Sequence, residues 1–304
     1  MSIGILFIIF VLLLVIAIPV GIALGITSVL PSLADPSFTV GAKYMVRAMF
    51  GGLDSFPLLA VPMFVLSGII MAKGGISKKL FDVFAYFLGN RTAGMPCAVI
   101  VTCLFYGAIS GSAPATVAAV GSMTIPILTE LGYDLKFTTA IVAVAGGLGV
   151  IIPPSIPFIM YGMASGASVS DLFIAGIIPG LLIGILLMVY AFYYCRKHGE
   201  DKLRIRTEVQ KLHDRSLVTV LKDSFFAILS PVIILGCIYS GVASPTEAAV
   251  ISVFYALIIS LLVYKSIHLK DLGEIFKEAI RTFTPILFIL AASALQYIAI
   301  VYFM

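Results

Sequence analysis

The chain has no tryptophan, only three histidines and four cysteines among 304 residues, and only 11% charged residues. Each shortage removes a class of reading. Without tryptophan, tyrosines must supply any belt at a membrane interface. His198, His213 and His268 fall in charged loops, which speaks against a zinc or haem site. Cys97, Cys103, Cys195 and Cys237 are scattered through apolar segments with no CxxC spacing, so they read as small buried hydrophobes. The net charge of +4 is small and lies in loops, where it informs topology and does not describe a nucleic-acid surface. The opening MSIGILFIIFVLLLVIAIPVG lacks a basic leader and a small-residue cleavage site, and reads as a retained first helix.

What is present is apolar length. Hydrophobic residues make up 61% of the chain and the mean hydropathy is +1.15. Repeated apolar runs of about 20 residues fit an all-α polytopic membrane protein, whereas a transmembrane barrel would show short alternating segments. The pattern predicts a first helix over residues 2–30, kinked near Pro19 and Gly21, then a connector over 31–52 whose second half, from Val40 to Phe50, lies along the interface. Further helices are expected over 56–72, 93–109, 116–131, 136–152, 172–195, 224–240 and 246–264, with a short aromatic piece at 80–88 and a last apolar run from Phe283. The basic stretches 73–91, 196–222 and 265–281 are assigned to the cytoplasmic side. Residues 93–131 must then leave and return to that side, as two full spans or as a re-entrant hairpin. The pieces flanking SGSAP fall at or just below the length of about 20 residues that a straight span needs, which favours the hairpin.

Two segments stand apart, apolar yet broken mid-run by glycine, proline and serine: Gly107–Gly121 and Gly146–Gly162. Lipid tolerates a broken helix only where protein or water satisfies the freed backbone groups. At SGSAP the arriving half-helix ends in free carbonyls and the departing one starts with free N–H groups, favouring a cation and an anion respectively. Ser110 and Ser112 add hard oxygen ligands of the kind that suits sodium. The second break offers carbonyls between Gly149 and Pro154, including that of Ile152, with Ser155 capping the next half-helix. Paired discontinuous helices are the mark of a secondary transporter that couples an anionic substrate to sodium near the bilayer midplane. The competing reading is that glycine and proline merely kink tightly packed helices. In GVASPTEAAV, Ser244, Pro245 and Glu247 fit an N-cap, first helical position and capping box. Glu247 as an intramembrane ion ligand is the weaker alternative. An intramembrane hydrolase using Ser110 or Ser165 lacks a base near either break.

FYGAISGSAPATVAAVGSMTIP, GGLGVIIPPSIPFIMYG and GVASPTEAAV, in that order, resemble the large membrane subunit of TRAP (tripartite ATP-independent periplasmic) transporters. The resemblance runs through the whole chain and implies an elevator-type fold of inverted repeats, each with a re-entrant helical hairpin. It implies sodium-driven uptake, across the bacterial inner membrane, of a small organic acid such as a C4-dicarboxylate, keto acid or sialic acid. A periplasmic substrate-binding protein would deliver the substrate, and a small four-helix membrane subunit would brace this one within the lipid bilayer. A related carrier working without a binding protein is the alternative. The resemblance maps one Na+ site onto Ser110, Ser112 and backbone at Gly149, Ile152 and Pro154, with Ser110 and Ser155 as substrate contacts. It divides the chain into scaffold (1–92), transport part (93–171), helix with basic linker (172–222) and the start of a second repeat (223–304). The family's chain continues with a second hairpin and a second broken helix, so a product ending at Met304 is expected not to transport.

Overall fold

The structure is a computed structural model that describes residues 3–34 and 42–302. Among the described residues the regular structure is entirely helical. The chain forms two compact units, Leu59–Ala279 and Met1–Leu58 with Ile280–Met304.

The smaller unit contains α1 (Ile3–Val15), α2 (Val20–Ala34), α3 (Ala42–Leu53) and the later part of α14 (Leu272–Tyr302). The single kinked helix expected over 2–30 is two helices. Pro19 has no N–H to continue the ladder, and Ala17 before it takes the left-handed conformation at φ 63°. Thr27 donates a 2.6 Å hydrogen bond to Gln296 Oε1, tying α2 to α14. Of the connector expected over 31–52, residues 31–34 belong to α2, residues 35–41, including Val40 at the start of its second half, lie outside the described residues, and α3 occupies the rest.

The larger unit is built around α6 (Gly94–Ser110), which is buried along most of its length. Around it pack α4 (Ala60–Lys73), α5 (Ile76–Leu88), α7 (Ala113–Glu130), α8 (Leu135–Gly146), α10 (Val169–His198) and α12 (Leu217–Tyr239). Lipid tails are as apolar as leucine, so such helices associate through close packing at small residues. Gly68 of α4 lies against Ser110, and Gly184 of α10 against Leu104. The Tyr106 hydroxyl, fully buried, donates to the Gly68 carbonyl at 2.8 Å. α13 (Pro245–Ile258) packs on α4 and continues as a π-helical turn over Ile259–Val263.

Two stretches differ from expectation. Residues 196–222 contain an amphipathic helix, α11 (Lys202–His213), because Ile205 and Val209, one turn apart, are buried against α5. The basic loop and amphipathic piece expected over 265–281 lead through a short 3-10 turn into α14, and the amphipathic piece is continuous with the last apolar run in one helix of 31 residues. Among the described residues, five helices are long and apolar enough to cross a membrane.

Candidate functional site

α6 and α7 are joined by two residues and pack on each other, forming a helical hairpin. Their lengths of 17 and 18 residues are set by the turn chemistry. Gly111, left-handed at φ 62°, ends α6 by donating to the Gly107 carbonyl at 2.9 Å. Ser112 is extended and Pro114 sits in the first turn of α7, whose N-terminus has no side-chain cap. The N–H groups of Ala113 and Ala115 therefore have no hydrogen-bond partner among the described residues.

The second break follows α8. A tight turn over Gly147–Val150 leads to a cis Pro153–Pro154 bond and then to α9 (Ile156–Ser165). Here the helix start is closed. Ser155 Oγ accepts the Phe158 N–H at 3.3 Å and donates to the Val150 carbonyl at 2.7 Å. The two N-termini thus differ, one open and one capped.

The breaks dock on each other through bare backbone. Ile156 N–H donates to the Gly111 carbonyl at 3.2 Å. A Cβ on Gly107 would come within 2.6 Å of Gly149 Cα, and one on Gly149 would overlap the Thr116 hydroxyl. Only glycine permits so close an approach.

Oxygen atoms gather where they meet. Ser110 Oγ and Thr116 Oγ1 are 3.0 Å apart. Thr116 donates to the Ser112 carbonyl at 2.9 Å, so the Ser110 hydroxyl is the donor between the two. Both hydroxyls keep lone pairs for a cation, and both are buried, Ser110 at 1% and Thr116 at 0% exposure. The set is neutral hydroxyl and carbonyl oxygen, the donor type for hard cations. The carbonyls of Ala108, Ile109 and Ser110, at the end of α6, accept no hydrogen bond among the described residues.

The structure brings together Ser110, Ser112, Gly149 and Pro154, whose carbonyl lies against Gly111. Ile152 is in the same bend, but its side chain points to Gly180 of α10. Ser155 is buried, with its hydroxyl engaged on both sides. Ser244, Pro245 and Glu247 lie at the start of α13. There Glu247 Oε2 accepts the Ser244 N–H at 2.8 Å and Ser244 Oγ accepts the Glu247 N–H at 3.3 Å, a reciprocal capping box. Thr116 escaped the sequence reading, although its spacing of one helical turn from Ser112 was a usable signal.

A second missed residue holds the hairpin at its base. The Glu200 carboxylate accepts the Ala93 N–H at 3.0 Å, at the start of α6, and the Tyr133 hydroxyl at 2.6 Å, in the α7–α8 turn. Burial and this hydrogen bond push the Tyr133 phenol well above its ordinary pKa, keeping it a donor. The Glu200 carboxylate therefore ties both ends of the hairpin to the linker between α10 and α11.

Comparison with known proteins names the architecture. Residues 7–302 match the family described as the DctM component of the tripartite ATP-independent periplasmic transporter. The isethionate TRAP transporter permease DctMQ of Oleidesulfovibrio alaskensis is 39% identical over 94% of this chain and 44% of its own length. The sialic acid TRAP large permease SiaM of Vibrio cholerae is 36% identical over 86% of this chain and 60% of its own. The C4-dicarboxylate TRAP large permease DctM of Pseudomonas aeruginosa is 36% identical over 81% of this chain and 56% of its own. The chain therefore spans between 44% and 60% of these relatives' lengths. A family match along almost the entire chain, on a helical frame with five membrane-length helices, leads to one conclusion: the chain belongs to the DctM family of TRAP transporter large permeases, multi-pass membrane transport proteins and not enzymes.

Proposed function

We propose that the docked breaks are one half of a transport site that binds a sodium ion and an organic anion side by side. The supporting observation is the difference between the two helix starts. The α9 start is closed by Ser155, while the α7 start presents uncapped N–H groups beside the Ser110–Thr116 oxygen cluster. A cation would take the two hydroxyls together with carbonyls at the end of α6 and in the Gly149–Pro154 bend, including that of Ile152. A carboxylate would face Ser112 and the N–H groups of Ala113 and Ala115, where the helix dipole favours negative charge. Ser110 would lie between ion and substrate. Ser155 would reach substrate only by releasing the Val150 carbonyl, so its part in this scheme is to hold the bend.

In the complete protein, this site would serve sodium-driven uptake of a small organic acid across the bacterial inner membrane. The hairpin would enter from the cytoplasmic side and move with the transport part as an elevator. A periplasmic binding protein would hand over the substrate, and a small four-helix subunit would brace the permease. The opposite wall of the site is expected from the part of the relatives' length that this chain does not span.

The test is uptake into vesicles holding the complete complex, with a panel that includes C4-dicarboxylates, sialic acid and isethionate. One panel member should accumulate only with an inward sodium gradient and its binding protein. Equal accumulation without the gradient would remove sodium from the scheme. Equal accumulation without the binding protein would make this a two-component or single-component carrier.

A further inference from the structure

Away from the docked breaks, the larger unit holds a small polar pocket between the α5–α6 turn and the start of α11. Its volume is about 80 Å³, and Asn90, Arg91, Thr92, Glu200, Lys202 and Arg206 line it. The four ion pairs among the described residues use Lys73, Arg204, Lys211 and His268 as cations. Arg91, Lys202 and Arg206 take part in none of them. The side chains of Asn90 and Thr92, and the backbone N–H groups of the same two residues, likewise have no partner among the described residues. The one carboxylate, Glu200, is turned to the hairpin base, where Ala93 and Tyr133 donate to it. Three cations against one engaged carboxylate leave the pocket positive.

We propose that this pocket binds a phosphate group. Arginine, lysine, amide and hydroxyl donors converge from two elements, which suits a tetrahedral oxyanion with acceptors in several directions. The space equals that of about two to three waters, room for a phosphate and not for a nucleotide base and sugar. The basic stretches 73–91 and 196–222, which carry Asn90, Arg91, Glu200, Lys202 and Arg206, are those assigned to the cytoplasmic side. Two sources can present the group there: the headgroup of an anionic phospholipid, or a free phosphate compound. Because Glu200 lines the pocket and also holds Ala93 and Tyr133, an occupant sits next to the hairpin base.

The experiment uses the full-length permease complex purified in detergent. Thermal unfolding is followed while phosphatidylglycerol, phosphatidylcholine, inorganic phosphate or oleate is added. Phosphatidylglycerol, inorganic phosphate or both should raise Tm, and phosphatidylcholine and oleate should not. Protection by phosphatidylglycerol alone identifies the lipid headgroup, and protection by inorganic phosphate identifies a soluble source. The triple variant Arg91→Gln/Lys202→Gln/Arg206→Gln should need at least about tenfold more of the protecting probe. Arg196→Gln/Lys197→Gln removes charge nearby without touching the pocket and should respond as the parent does. Should the triple variant fail to fold, Thr92→Val with Asn90→Leu offers a second route, again with a weakened response expected. No protection by either probe overturns the proposal. So does equal protection by oleate, or equal loss in the Arg196→Gln/Lys197→Gln control.

Discussion

Thr116 contributes a buried hydroxyl to the oxygen cluster, on the face of α7 that meets Gly149. Thr116→Val preserves shape and removes only that oxygen. In the complete complex it should raise the sodium concentration for half-maximal uptake by about tenfold, the loss of one good ligand contact of ~1.4 kcal/mol, while Thr116→Ser stays near the parent. An unchanged sodium requirement in Thr116→Val would move the ion elsewhere. Gly149 tests the docking itself. A methyl group there meets the Thr116 hydroxyl and approaches the Ser112 carbonyl at 3.1 Å. Gly149→Ala should cost about 1–3 kcal/mol of strain and abolish sodium-dependent uptake, read against the amount of folded complex in the membrane. Asp82 of α5 supplies a pH signature. Burial holds its carboxyl above the ordinary 3.8 despite Lys78, Arg215 and Lys79 nearby. The folded state therefore binds this proton more tightly than the unfolded state, so the charged form costs stability at neutral pH. That cost fades as the pH falls through the raised value towards 3.8. Asp82→Asn should raise Tm at neutral pH, with the gain shrinking in acid. A gain that is constant across pH would mean that packing, and not charge, is responsible.

At the scale of elements, helix starts carry the distinctions. The α13 start is a closed capping box, and Ser244→Ala should lower stability by about 1 kcal/mol without changing substrate affinity. A change in affinity at constant stability would give Glu247 a functional role. Which elements could be read in advance follows from what the sequence encodes locally. Glycine, proline and serine act on their own backbone, so the breaks at Ser110–Pro114 and Gly149–Pro154 were visible as breaks. That they share one site was implied by the family resemblance; the close Gly107–Gly149 approach that docks them joins residues far apart in the chain and has no local signal. α11 was hidden for a different reason. Its two buried positions, Ile205 and Val209, are surrounded by Lys202, Arg204, Arg206 and Lys211, and in a membrane protein such charge density reads as a loop. The division of the first helix at Ala17 rests on a left-handed residue with no glycine to announce it. Glu200 was missed because its partners Ala93 and Tyr133 lie far from it in the chain, where spacing does not report on contact, whereas the one-turn spacing of Thr116 from Ser112 could have been read.

For the whole molecule, the question is whether the hairpin tip faces the transported solute. Ala113 is half-buried at the tip, next to the uncapped end of α7. Once Cys97, Cys103, Cys195 and Cys237 are replaced by alanine, Ala113→Cys in the complete complex should react with a water-soluble maleimide. Sodium and the transported acid together should slow that reaction several-fold more than either alone. A rate indifferent to both would place the solute path away from this hairpin.

The Ser110–Thr116 cluster has a thermodynamic consequence if it holds the ion. It sits within one turn of the open helix start, so a bound cation adds its charge to the field that an arriving carboxylate feels. The acid, once bound, lowers the ion's free energy by the same amount, because coupling between two sites is reciprocal. A shared helix start would then do the work of stoichiometric control. Each solute alone would bind weakly and the pair strongly, so an ion would rarely cross without its acid. The tightness of coupling would be a property of the few ångströms between Ser110 and Ala113, set by a turn of two residues.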